Sequence, residues 1–96
     1  MLYLIGYDIK TTSKEGTRRL SKVAKVCCNY GQRVQNSLFE CELDGAHYVQ
    51  VKKQLLSILN AEEDSLRIYC LGKKYNSKIE EYGAKTSYDP LGDLIV

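Results

Sequence analysis

Asp8 closes the apolar stretch LYLIGYDI, residues 2–9, and a carboxylate at the end of such a stretch has two ordinary uses. It can start a turn, or it can offer hard oxygen atoms to a divalent cation. Mg²⁺ accepts one or two protein carboxylates when waters and phosphates complete its shell, so one Asp per chain falls short and two on a dimer axis would suffice. A second set of residues recurs at helical spacing: Lys14, Arg18, Lys22 and Lys25. Such a stripe suits phosphate groups and gives affinity without reading bases. Other chemistry is thinly represented. The single histidine, His47, has no paired acid, is expected on the exposed first turn of a helix, and builds neither a triad nor a zinc site. The seven glycines are scattered at turns and form no phosphate-cradling loop. Cys27, Cys28, Cys41 and Cys70 contain no C-x-x-C pair and read as buried free thiols of a reducing compartment. The base-stacking aromatics of an RNA-recognition module do not stand out.

The charge is unevenly spread. Residues 1–35 carry a net +5, and residues 36–96 a net −3. A basic first third points to a polyanionic partner. The 96 residues are enough for one domain with a single core. No apolar run is long enough to span a membrane, and the N-terminus lacks the pattern of a secretory leader, so the expected setting is soluble and cytoplasmic.

Six strand and helix signals must place these groups. Leu2 to Asp8 reads as a strand. Thr12 and Glu15 form a capping box for a helix from about Ser13 to Asn29, stopped by Gly31. Its apolar side holds Leu20, Val23, Ala24, Cys27 and Cys28, and the cationic stripe lies opposite. Arg33 to Leu43 reads as two strands joined near Asn36–Ser37, with Phe39, Cys41 and Leu43 alternating against Glu40 and Glu42. A second helix, about Ala46 to Leu59, presents Tyr48, Val51, Leu55, Ile58 and Leu59. Ser65 to Leu71 is the last core strand, ended by Gly72. The order β-α-β-β-α-β makes the fold class α+β, a ferredoxin-like unit with an antiparallel sheet.

Two features exceed a lone unit of this kind. The first strand is apolar on both faces, with Leu2 and Leu4 opposite Tyr3, Ile5 and Tyr7, and the last strand behaves likewise. An uncovered apolar sheet face is an interaction surface. The chain also ends in a strand-like stub, Asp93 to Val96, after the unit is complete. The expectation is a domain over residues 1–72 and a tail over 73–96, forming a sheet-to-sheet homodimer whose terminal strands pair with the partner; a fifth strand in cis is the alternative.

Four segments carry a resemblance: Tyr7-Asp8-Ile9; Arg18-Arg19-Leu20 with Lys22-Val23-Ala24-Lys25; Gly31-x-Arg33-Val34-Gln35-x-Ser37-Leu38-Phe39-Glu40; and Asp64-Ser65-Leu66-Arg67-Ile68-Tyr69. In order and spacing over residues 1–72 they resemble the second of the two core subunits of the CRISPR spacer-acquisition module. The tail matches less closely. The resemblance implies a homodimer that joins the CRISPR integrase subunit and helps insert spacer DNA, and a Mg²⁺-dependent endonuclease activity on RNA or DNA. By match, Asp8 is the catalytic and metal-binding residue, shared with the dimer partner. Arg18, Arg19 and Arg33 match positions implicated in nucleic-acid handling, beside Lys14, Lys22 and Lys25 from the stripe. Phe39, in the same signature, is a candidate for substrate contact, while Tyr7 and the Ser37 hydroxyl read as structural. A non-catalytic scaffold gripping duplex DNA and a toxin-like ribonuclease of the same fold are the competing functions.

Overall fold

Burial alternates along the first strand, β1 (Leu2–Asp8): Tyr3, Ile5 and Tyr7 are buried on one face, and Ile9 just beyond the strand continues their row. On the other face Leu2 is buried, Leu4 and Gly6 are partly covered, and Asp8 is exposed. In the computed structural model, which describes residues 1–73 and 76–83, β1 is followed by α1 (Lys14–Tyr30), β2 (Gln32–Gln35), β3 (Leu38–Glu42), α2 (Gly45–Ile58) and β4 (Ser65–Gly72). A short 3₁₀ turn spans Asn76–Lys78. The four strands form one antiparallel sheet in the order β2-β3-β1-β4, with both crossovers made by helices, which is the ferredoxin-like arrangement. The stub Asp93 to Val96 lies outside the described residues.

Register sorts the sheet into two faces. Tyr3, Ile5 and Tyr7 stand opposite Cys70, Ile68 and Leu66 of β4, and Tyr3 and Ile5 opposite Cys41 and Phe39 of β3. This face packs under Val23 and Cys27 of α1 and Val51 and Leu55 of α2. Tyr3 stacks on Tyr48 at 4.3 Å between ring centroids, which ties β1 to α2. The other face carries Leu4, Gly6 and Asp8 with Leu38 and Glu40 on one side and Ser65, Arg67 and Tyr69 on the other. Among the described residues, no α-helix lies over it. Part of it is reached by the chain itself: residues 79–82 and the β2–β3 side of the face line a pocket of about 300 Å³. Burial there, and behind it the Glu81 carboxylate, raise the pKa of Glu40.

Helix starts follow side-chain capping, with one correction. The cap of α1 is Ser13, not Thr12; its Oγ accepts from the Gly16 N–H at 3.1 Å. No capping box forms, because the residue three beyond Ser13 is Gly16, and Glu15 serves only as first-turn negative charge. Gly16 decides the shift, since this buried glycine must meet the loop before the helix. The cap of α2 is Asp44, whose Oδ1 accepts from the His47 N–H at 2.7 Å, and exposed His47 stays beside it. Gly31 ends α1 as expected, although its backbone is extended, not left-handed. A Cβ there would collide with the Glu40 carbonyl and the Cys41 sulfur, so glycine is required by contact with β3.

The cysteines divide. Cys27 and Cys41 are buried free thiols, and burial pushes them up to about 12 and about 11. Cys28 and Cys70 are exposed, contrary to the expectation of four buried thiols. Cys28 sits 100° past Cys27 around α1, at the margin of the apolar side, where the sheet no longer reaches.

Candidate functional site

Asp8 is the last residue of β1 and its side chain stands on the face without helices. Its cross-strand neighbour is Ser65. It is exposed, and among the described residues no hydrogen bond or ion pair engages its carboxylate. Buried Ile9 anchors the backbone just beyond it. No group of three or more His, Cys, Asp or Glu able to hold a metal ion occurs among the described residues. Among the described residues, one chain therefore supplies at this strand end the open Asp8 carboxylate and no closed cage.

Lys14, Arg18, Lys22 and Lys25 are all exposed along the outer side of α1, with no carboxylate partner among the described residues. They point away from Val23 and Cys27, which pack on the sheet. The stripe and Asp8 thus lie on opposite sides of the molecule, separated by the helix layer and the sheet. Sequence reasoning placed them in one functional list; the fold keeps them apart.

Arg19 stands apart from the stripe. Its side chain is 14 % exposed, and the guanidinium binds Asp64, with Nε to Oδ2 at 2.7 Å and Nη2 to Oδ1 at 3.3 Å, and Glu63, with Nη2 to Oε2 at 3.1 Å. Asp64 has no exposed side-chain surface and also accepts from the Asn60 N–H at 3.0 Å and the Lys10 N–H at 3.1 Å. The Arg19 guanidinium, with those backbone donors behind it, holds the Asp64 carboxyl below the usual carboxylate range. Sequence reasoning missed Asp64 as a site-region residue. Its signal was its place directly before the strand that pairs with Asp8.

Arg33 is exposed on β2, where it closes the hairpin by donating from Nη1 to the Asn36 carbonyl at 2.6 Å. Its guanidinium stands 4.9 Å from the centre of the Phe39 ring. Phe39 itself is 0 % exposed. Substrate contact is corrected to a core role, because an enclosed ring presents no face to a ligand; its burial is worth about 1.5–3 kcal/mol. Tyr7 is buried, and its hydroxyl lacks a well-formed hydrogen bond although Ser37 lies near it.

Residues 1–79 match the family model described as CRISPR associated protein Cas2. The CRISPR-associated endonuclease Cas2 of Halalkalibacterium halodurans is 56 % identical over 95 residues, covering 99 % of each chain. The CRISPR-associated endoribonuclease Cas2 of Nitratidesulfovibrio vulgaris is 49 % identical over 96 residues, all of this chain and 94 % of the other. A crystal structure of Streptococcus pyogenes Cas2 at pH 6.5 superposes with a TM-score of 0.77 and 44 % identity, over 86 % of this chain and 100 % of that one. Among the described residues, no helix is long and apolar enough to cross a membrane. With its four-stranded antiparallel sheet under two helices and these matches over nearly its whole length, the chain belongs to the CRISPR associated protein Cas2 family.

Proposed function

We propose that the protein is a homodimeric nucleic-acid-binding subunit of CRISPR adaptation that joins the integrase subunit and hydrolyses phosphodiester bonds with Mg²⁺. The observation that carries this reading is the open Asp8 carboxylate on the helix-free face of the sheet. Two copies meeting through that face bury Leu4, Leu38 and Tyr69, of which Tyr69 is 47 % exposed in the single chain. The two Asp8 side chains then approach one another across the two-fold axis.

The donor set fits Mg²⁺ as a shared ion, because two hard-oxygen donors with waters and phosphate meet its needs, and it does not fit an all-protein cage. Bound there, the ion supplies polarisation of the scissile phosphate and an acidified water. Asp8 from each protomer holds it, and the ladder to Ser65 keeps each carboxylate at the strand end. Without a cation, two facing carboxylates repel one another. The endonuclease and endoribonuclease names of the relatives support this chemistry on RNA or DNA.

The test is cleavage of RNA and duplex DNA by the purified protein, with sedimentation at the same concentration. Cleavage in Mg²⁺, none in EDTA, and twice the chain mass are expected. Cleavage by a species that sediments as a monomer would refute the shared site.

The outward stripe of α1 is the proposed grip on duplex phosphates. Arg18→Glu with Lys22→Glu is expected to weaken duplex binding about tenfold or more at moderate salt, and to flatten the salt dependence by a slope of about two. Fluorescence anisotropy across a salt series measures both quantities. Unchanged binding assigns the grip to another surface.

A further inference from the structure

Arg18 and Arg19 are adjacent but live in different environments. Arg18 is exposed and has no carboxylate partner among the described residues, whereas Arg19 is nearly enclosed and bound to Asp64 and Glu63. Asp64 uses its acceptor capacity fully: Arg19 Nε at 2.7 Å, Arg19 Nη2 at 3.3 Å, the Asn60 N–H at 3.0 Å and the Lys10 N–H at 3.1 Å. Lys10 follows Asp8 by two residues, and Asp64 directly precedes Ser65, the ladder partner of Asp8. The same carboxylate therefore holds the backbone two residues past Asp8 and stands at the entry to the neighbouring strand. Gly16 closes the loop from the helix side, since any Cβ there would collide with the Lys10 carbonyl.

We infer that Arg19 and Asp64 are a positioning pair for Asp8, acting through the Lys10 amide, and that Arg19 does not contact nucleic acid. The inference rests on the reading of Asp8 as the cation-holding carboxylate. A forked guanidinium is needed because it meets Asp64 and Glu63 at once, which the point charge of lysine does not reproduce.

The experiment compares wild type with Arg19→Lys, Asp64→Asn and the double variant, measuring cleavage kcat, duplex affinity across a salt series, and amide exchange. Each single variant is expected to lose about 10–100-fold in kcat. Duplex affinity and salt slope stay as in wild type, and the double variant loses no more than either single one. The Lys10 amide exchanges faster while the Ile5 amide, inside the ladders to β3 and β4, keeps its protection. An Arg19→Lys protein that cleaves like wild type overturns the inference. So does affinity that falls in step with kcat and with a reduced salt slope, since that is the signature of a phosphate grip. If Asp64→Asn loses protection at Ile5, Arg19→Lys alone decides. Wild-type protein that cleaves nothing sinks the nuclease reading separately. The pair is then judged from Mg²⁺ titration of the Asp8 amide resonance: weaker Mg²⁺ affinity in the variants supports it, and equal affinity, or no response in wild type, overturns it.

Discussion

Asp8→Ala is expected to reduce Mg²⁺-dependent cleavage by about 10²–10³-fold or to background, while the protein stays folded and dimeric. A shared cation contributes several kcal/mol of charge stabilisation, and each 1.36 kcal/mol is tenfold in rate. Removal of the donor from both protomers deletes the whole protein share of the site at once. Folding should scarcely change, within about 0.5 kcal/mol, because the side chain is exposed and holds no partner among the described residues. The dimer loses a repulsion between facing carboxylates, so its dissociation constant should hold or fall. Cleavage that persists in Asp8→Ala places the chemistry elsewhere. The same variant separates enzyme from scaffold in cells: normal spacer acquisition assigns the biological role to binding and spacing, and lost acquisition with an intact dimer assigns it to catalysis.

Gly16→Ala is expected to be strongly destabilising. In an open helix the substitution would stabilise by about 1 kcal/mol. Here the added Cβ would fall inside the van der Waals envelope of the Lys10 carbonyl oxygen, 3.0 Å from its carbon and 3.3 Å from the Thr11 Cα. These are backbone atoms and cannot rotate away as a side chain would. The first turn of α1 must lift, breaking the Ser13 cap at the Gly16 N–H and straining the Lys10–Asp64 bond. Overpacking and cap loss together cost about 2–4 kcal/mol, which lowers Tm by roughly 10 °C or more in a domain of this size. Gly45→Ala is the internal control: nothing lies within 4 Å of a Cβ at that first residue of α2, so Tm should hold or rise. A Gly16→Ala protein as stable as wild type would mean that the loop yields, and with it the rigid mounting of Asp8.

Much of this was legible beforehand because alternation and helical period are local properties. The β2–β3 turn at Asn36–Ser37, the two helices and the last strand sit within about one residue of where side-chain pattern puts them. Phe39 was legible as core from the same alternation with Cys41 and Leu43, and resemblance pulled it toward substrate against that signal. The cap shifted from Thr12 to Ser13 because both carry a hydroxyl and only the packing of Gly16 on Lys10 chooses between them.

By itself the sequence determined the α+β order, the core stripes and the cationic side of α1, set by which residues recur at periods of two and 3.6; pattern alone favoured a turn role for Asp8, and its candidacy came from the resemblance. The tertiary structure alone decided three things. Arg19 belongs to Asp64, 45 residues away, and not to the stripe that includes its neighbour Arg18. Among the described residues, Asp8 is left without a partner, on the face that neither α1 nor α2 covers. The carboxylate and the cations look in opposite directions. The physical reason is common to all three: a side chain's neighbours across strands and loops depend on chain crossings, and local periodicity carries no information about what the far end of the chain brings back.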